Sequence, residues 1–475
     1  MQYQSLSQVQ FDLTSDKISL PNLVRYYLNQ IEEKENLNAF LSVYADEALA
    51  EAERIQAKIS TKSAGRLAGM VIGIKDVLCY KDHPLQCASK ILDGFESQFT
   101  ATAVQKLLDE DAIIIGRLNC DEFAMGSSNE NSAFGPTLNP IDNDRVPGGS
   151  SGASAAAVAA DLCLAALGTD TGGSVRQPAA FCNIIGLKPT YSRVSRYGLA
   201  AYASSFDTIG TLTKSISDAA LLLEIMAGHD EMDSTSSKKE IAKYSEFPET
   251  AEALRVGVIT PNDQNGIDPE IIESLNVQVQ ILKSAGHKVD ELTLPELDYA
   301  LPTYYILTTA EASTNLSRYD GVRYGYRNEN AHDLENLYKK SRSEGFGDEV
   351  QRRILLGTFV LSASYYDAYY TKAQKVRKLI QQKMKELFKN YDFLISPTTP
   401  TLPFKLGETV SPLEMYLADL FTVQASVAGI PAISIPVAQS EDGLPVGLQI
   451  MADFFREDKL LSFANYMQNG AIITK

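Results

Sequence analysis

The run Ala153-Ser154-Ala155-Ala156-Ala157-Val158-Ala159-Ala160 is followed by Leu162-Cys163-Leu164-Ala165-Ala166-Leu167 and then by Gly168-Thr169-Asp170-Thr171-Gly172-Gly173-Ser174. The alanine-rich run favours a helix slim enough to lie close against a sheet. The apolar run after it is short and uninterrupted, which fits a buried strand. The glycine-bounded segment then reads as a sharp turn at the strand's end. Outward from this unit the same alternation recurs. Leu20 to Ile59 reads as two amphipathic helices, Leu67 to Ile74 as a buried strand, Ala101 to Asp109 as a helix and Ala112 to Gly116 as a strand. Downstream, strands are predicted at Leu254 to Ile259, His287 to Leu292, Phe393 to Ser396, Ala432 to Val437 and Gly447 to Met451. Helices are predicted at Pro269 to Ala285, Asp348 to about Ser364 and Tyr365 to Leu387. The fold expected is a single large α/β domain over residues 1–475, with a central mixed sheet covered by helices on both faces. The polar stretch Gly228 to Thr250 reads as a surface excursion from it.

Composition narrows the function. Apolar residues make up 44% of the 475, enough for a large core, and no run of 18 apolar residues suggests a membrane span. Met1 to Asp16 is polar and lacks the apolar core of a signal peptide. The net charge of −17 offers nucleic acid no broad basic face, so any RNA is expected to be held mainly by another chain. The five cysteines (Cys79, Cys87, Cys120, Cys163, Cys182) form no CxxC pair and read as buried thiols in a reducing cytoplasm. The four histidines, His83, His229, His287 and His332, read as surface or loop residues outside any metal-ligand spacing. No metal site is expected.

Three strings carry chemistry: Gly73-Ile74-Lys75-Asp76, Pro147-Gly148-Gly149-Ser150-Ser151-Gly152 and Asp170-Thr171-Gly172-Gly173-Ser174-Val175-Arg176. Ser174 sits on a turn whose glycines let backbone N–H groups of Thr171, Gly172, Gly173 and Ser174 face a developing oxyanion. Ser150 stands between Ser174 and a base, although Ser150 or Ser151 also suits a plain helix N-cap, and the loop also suits a phosphate cradle. Neither GxxxxGK[ST] nor GxGxxG is present. For Lys75 to be the base, its amine must fall from a reference value of about 10.4 towards neutrality, a change that burial can supply. Together the strings provide a Ser-Ser-Lys relay for acyl transfer, with Lys75, Ser150 and Ser174 as the catalytic candidates.

The string Gly168 to Ala180, closed by Gly186-Leu187-Lys188-Pro189-Thr190, resembles the signature block of the amidase signature family, and the resemblance spans about Leu20 to Gly447. Ala153 departs from the pattern, which usually has a second glycine there. Three further strings are similar to the A subunits of aspartyl/glutamyl-tRNA(Asn/Gln) amidotransferases within that family. They are Asp121 to Ser128, Tyr319 to Gly325, and Phe346-Gly347 through Arg352-Arg353 to Tyr369-Tyr370. The resemblance implies a glutaminase that feeds ammonia to a B subunit braced by a C subunit. In this scheme the mischarged aminoacyl-tRNA, ATP and Mg2+ belong to the partner, and this chain needs no cofactor. It points to Arg353 for the α-carboxylate of glutamine, Asp419 for its α-ammonium and Tyr304 as a lining residue. Arg353 also suits a surface pair with Glu349, Asp419 a helix-surface charge and Tyr304 plain packing. The alternatives are a free-standing amidase for aryl or aliphatic amides and a non-catalytic subunit that keeps the fold.

Overall fold

The computed structural model describes residues 2–247, 253–260, 266–408 and 412–468. Among these, the strands form one 11-stranded mixed sheet. In chain order they are β1 (Phe40–Val43), β2 (Val71–Lys75), β3 (Ile113–Leu118), β4 (Ala165–Asp170), β5 (Ile185–Lys188), β6 (Thr208–Thr213), β7 (Arg255–Ile259), β8 (Lys288–Leu292), β9 (Phe393–Pro397), β10 (Ala432–Gln439) and β11 (Pro445–Met451). Their spatial order is β1-β3-β2-β4-β6-β5-β10-β11-β9-β7-β8. The pairings of β2 with β3 and β4 are parallel, as are those of β7 with β8 and β9. Helices flank the sheet. Those that shape the site are α1 (Gly152–Ala159), α2 (Arg176–Phe181), α3 (Ala300–Asn315), α4 (Asp348–Leu361) and α5 (Lys372–Leu387).

The central strands are buried along their whole length, which explains their unbroken apolar runs. Parallel pairing sets Ile72 beside Ala165 and Ile74 beside Leu167. The C-terminal ends of β2 and β4 therefore meet at one edge, where ligands gather in open α/β sheets. Lys75 closes β2, and Thr169 and Asp170 close β4.

Several boundaries differ from expectation. Between Leu20 and Ile59 there are two helices, Leu20–Glu33 and Ala45–Ser60, but β1 lies between them and pairs antiparallel with β3. Four residues are too few to show a period. The strand expected from Leu67 begins at Val71, because Ala68 and Met70 close turns onto Gly65 and Leu67. The strand expected at Leu162 to Leu167 starts at Ala165 and runs through Gly168-Thr169-Asp170, each paired across to β6. Pairing with a neighbour overrides the weak strand preference of glycine and aspartate. From Tyr365 to Leu387 a π-helical turn, Asp367–Thr371, leads into α5. Residues 228–247 carry no helix or strand, yet they are tied down: Tyr244 is buried and the Asp233 carboxylate accepts from Arg196 N at 2.9 Å. The last part of that predicted excursion, 248–250, lies outside the described residues.

All five cysteines are buried free thiols. His287, read as a surface residue, is buried: its Nδ1 accepts from Leu254 N and its Nε2 meets the Tyr466 hydroxyl, both at 3.2 Å.

Candidate active site

Lys75 is fully buried at the end of β2. Its Nζ donates to Ser150 Oγ at 2.7 Å, Ser151 Oγ at 2.9 Å and Thr169 Oγ1 at 2.9 Å. Burial lowers its pKa to about 8, against the opposing pull of Cys120, Asp121, Asp170 and Asp207. A neutral amine has two N–H donors and one lone pair, so one of these hydroxyls must donate to it. Ser151 is committed elsewhere: its hydroxyl donates to Thr169 O at 3.1 Å and accepts from Thr169 N at 3.2 Å. Ser150 has no competing acceptor among the described residues, so its proton is free to point at Lys75.

The Ser150 loop, whose Gly149–Ser150 peptide is cis, is held from two sides. Gly149 N donates to Gln177 Oε1 at 2.8 Å, and Asp121 N donates to Ser150 O at 3.2 Å. The Asp121 carboxylate accepts from Asn129 N at 2.9 Å and Asn131 N at 3.1 Å, and burial raises its pKa to about 6. Ala153, the departure from the family pattern, is buried at the start of α1 and its N–H donates to Asn129 Oδ1 at 2.9 Å, so the methyl is accommodated.

Ser174 follows β4 and is 8% exposed, while Lys75 and Ser150 are sealed. Its carbonyl accepts from Ser151 N at 3.1 Å, which ties the two serine segments together. No hydrogen bond joins Ser150 Oγ to Ser174 Oγ, and the Ser174 hydroxyl has no partner among the described residues. The loop before it is fixed from outside: Thr171 Oγ1 donates to Asp207 Oδ1 and Thr422 Oγ1 to Gly172 O, each at 2.7 Å. Gly173 has φ +142, and a Cβ there would lie 2.1 Å from Thr422 Oγ1, so only glycine fits. The N–H groups of Gly172, Gly173 and Ser174 donate to no protein acceptor among the described residues. Behind the turn, Arg176 grips Asp170 through Nε at 2.9 Å and Nη2 at 2.8 Å. Arg176 also donates to Thr422 O at 2.9 Å, Ser426 Oγ at 3.0 Å and Gln449 Oε1. Burial alone would raise the Asp170 pKa, but the paired guanidinium holds it below the usual carboxylate range.

The three residues suggested for substrate ends lie in one connected cluster. Arg353, on α4, is buried; its Nε donates to Glu349 Oε1 at 2.8 Å and its Nη1 to Tyr202 OH at 2.9 Å. The rings of Tyr202, Tyr305 and Tyr416 surround the guanidinium at 5.4–5.5 Å. The helical pair with Glu349 is therefore present, but it is interior, and Arg352 is the solvated arginine of the two. Asp419 is buried, accepting from Tyr305 OH at 2.9 Å and Ser127 Oγ at 3.1 Å, and desolvation raises its pKa to about 7. Tyr304 lies over the turn: a Cβ on Gly172 would come 2.5 Å from its ring.

One carboxylate links this cluster to the serine loop. Glu122, next in sequence to Asp121, accepts from Gly347 N at 2.8 Å just ahead of α4, and from the Ser89 hydroxyl. Burial raises its pKa to about 7. Sequence reasoning did not assign Ser151, Thr169, Asp207, Tyr202, Tyr305, Ser127 or Glu122. Ser151, Thr169, Glu122 and Ser127 stood in quoted strings without being given a role in the site; Asp207, Tyr202 and Tyr305 carry no local signal, since their roles arise from contacts between distant segments. Among the described residues no group of three or more His, Cys, Asp or Glu side chains could hold a metal ion.

Comparison with known proteins agrees with this geometry. A family model described as Amidase matches residues 22–461. The glutamyl-tRNA(Gln) amidotransferase A subunit of Chlorobium luteolum is 52% identical over 472 residues, covering 98% of this chain and 97% of the relative. The protein of the same name from Chlorobaculum parvum is 51% identical, covering 98% of each. The crystal structure of the glutamyl-tRNA(Gln) amidotransferase A subunit from Thermotoga maritima is 39% identical, covers 94% of this chain and 91% of that one, and superposes with a TM-score of 0.77. The buried Lys75–Ser150 contact, the glycine turn at Ser174 and full-length similarity converge: the chain belongs to the amidase signature family.

Proposed function

We propose that this chain is the glutaminase subunit of a tRNA-dependent amidotransferase. The observation that carries the reading is the 2.7 Å contact between a buried, weakened Lys75 amine and Ser150, beside a serine with an uncommitted hydroxyl. Neutral Lys75 accepts the Ser150 proton, and Ser150 oxygen takes the proton of Ser174 as Ser174 Oγ attacks the side-chain amide carbon of glutamine. Substrate binding closes the Ser150–Ser174 leg, since catalytic hydrogen bonds tighten in the substrate complex. Backbone N–H groups from Thr171 to Ser174 receive the oxyanion. As the tetrahedral species collapses, the proton passes back through Ser150 to the leaving nitrogen and ammonia departs. Water then cleaves the glutamyl ester on Ser174 to glutamate.

Arg353 takes the α-carboxylate and Asp419 the α-ammonium, with Tyr304 lining the pocket. Buried charges at both ends favour an amino-acid amide over the aryl or aliphatic amides of the alternative reading. The ammonia passes to a B subunit, which uses ATP and Mg2+ to activate Glu-tRNA(Gln), or Asp-tRNA(Asn), in a heterotrimer with a C subunit. The names of the relatives favour Glu-tRNA(Gln). The chain acts as one amidase domain and works in the cytoplasm. Among the described residues no helix is long and apolar enough to cross a membrane.

The test compares hydrolysis of glutamine with that of an aryl amide by the assembled complex, alongside labelling by a serine-reactive fluorophosphonate. Preference for glutamine and label on Ser174 are expected. Faster turnover of the aryl amide, or label elsewhere, would reject the reading.

A further inference from the structure

The helix that buries Arg353 turns an apolar face outward. Leu355 is 70% exposed, Leu356 42% and Phe359 43%, while Arg353, Gly357 and Val360 face inward. Beyond α4 the chain adds Tyr365, Tyr366 and Tyr369, each 40–42% exposed. The rings of Phe359, Tyr365 and Tyr369 lie 4.3–6.0 Å apart, so they form one aromatic platform. A contiguous patch of this kind is unusual on a solitary soluble protein and marks an interaction surface. Aromatic residues are also the side chains enriched in the centres of interfaces.

The charges around the patch identify its occupant. Arg352, ion-paired with Glu349, lies at one end, and Lys372, Lys375 and Lys378 are exposed at the other. The one acidic side chain within it, Asp367, accepts from Thr371 Oγ1 at 3.0 Å. Although the chain's net charge is −17, three exposed lysines stand at the far end of this face and Asp367 is the single acid from Arg352 to Lys378. A second copy of the chain is a poor fit, because a two-fold interface would set the lysines of one copy against those of the other. An apolar surface edged with carboxylates fits both features.

Position supplies the reason for docking here. Leu355 is two residues beyond Arg353, about 3 Å along the helix axis. Ammonia released into neutral water is protonated and loses its nucleophilicity, so the chain that consumes it must sit close to the pocket. We propose that the exposed platform of Leu355, Leu356, Phe359, Tyr365, Tyr366 and Tyr369 is the docking face for the ammonia-accepting subunit, which meets it with an apolar surface rimmed by carboxylates. This rests on the glutaminase-subunit reading above.

The full chain is co-expressed with its cognate B and C subunits, and association is measured by sedimentation and by titration of labelled chain. L355E/F359E is expected to weaken association by about 100-fold or more, while its hydrolysis of a simple amide stays at the wild-type rate. F11E, on a remote helix where Phe11 is 62% exposed, is expected to leave association unchanged. A photoactivatable phenylalanine at position 359 should crosslink to B, and a crosslink to C alone would overturn the assignment of the occupant. Wild-type association by L355E/F359E, or a crosslink only to a second copy of this chain, would overturn the docking face and leave the glutaminase reading standing. Failure of the wild-type chain itself to associate with B and C would instead reject the subunit reading, and this proposal with it.

Discussion

The two halves of the site are built by different means. In the hydroxyl cluster around Lys75, Lys75 and Thr169 sit at the ends of adjacent buried parallel strands, Ser150 and Ser151 on the loop that opens α1, and every partner comes from residues 75–174. The Arg353–Asp419 cluster sits on helices and loops of the second half of the chain, joined by Tyr202 and Ser127 from the first, and is packed through tyrosine rings and shared acceptors. Strands fix side chains to within a pleat, which suits proton transfer. The helical shell need only recognise charges at the two ends of a small molecule. The first half should therefore govern rate, and the second affinity.

The most severe way to test this division is Ser174→Ala, expected to lower glutamine turnover by about 10⁴–10⁶-fold with no loss of thermal stability. Retained turnover would remove Ser174 as nucleophile. Lys75→Ala should cost about 10²–10⁴-fold in kcat. With the intact enzyme, kcat/KM should rise with pH through about 8 and level off above it, because only the neutral amine accepts a proton. A flat profile from pH 6 to 9 would exclude Lys75 as the titrating base. Arg353→Ala should raise KM for glutamine by about 10²–10³-fold, the cost of losing one member of a buried charged contact. It should leave a simple alkyl amide unaffected; equal effects on both substrates would erase the distinction between the halves. Smaller still, KM for glutamine should climb as pH falls below about 7, as protonated Asp419 ceases to attract an ammonium. Tyr304→Phe is expected to change kcat/KM only about two- to tenfold, the range of one ordinary hydrogen bond.

The same division governed what was legible in the sequence. Lys75, Ser150 and Ser174 stood in glycine-containing strings, Lys75 and Ser174 at strand ends and Ser150 ahead of a helix, and the structure places Lys75 against Ser150 and ties Ser150's loop to Ser174's. The open Ser150–Ser174 leg was not foreseen, because hydroxyl rotation leaves no trace in a sequence. Thr169 became visible as a lysine partner only once β4 was seen to extend past Gly168. Arg353 and Asp419 were reached through family resemblance; no local pattern places a guanidinium from α4 among Tyr202, Tyr305 and Tyr416. Strand β1, partly exposed, went unread because four residues are too few to show a period, and β5 and β6 because short buried strands lack the alternation that betrays a half-exposed one. The alternating core around β2, β3 and β4 was clear from its apolar runs.

Asp121 and Glu122 are separated by a single peptide link, yet one steadies the nucleophile's neighbourhood and the other anchors the helix that carries the arginine. Neither half can drift without dragging its counterpart. Directed evolution towards a new amide would therefore struggle to retune selectivity by shifting α4 alone, since any displacement there is felt immediately in the machinery of bond cleavage. Broadened substrate range and slower turnover should arrive together.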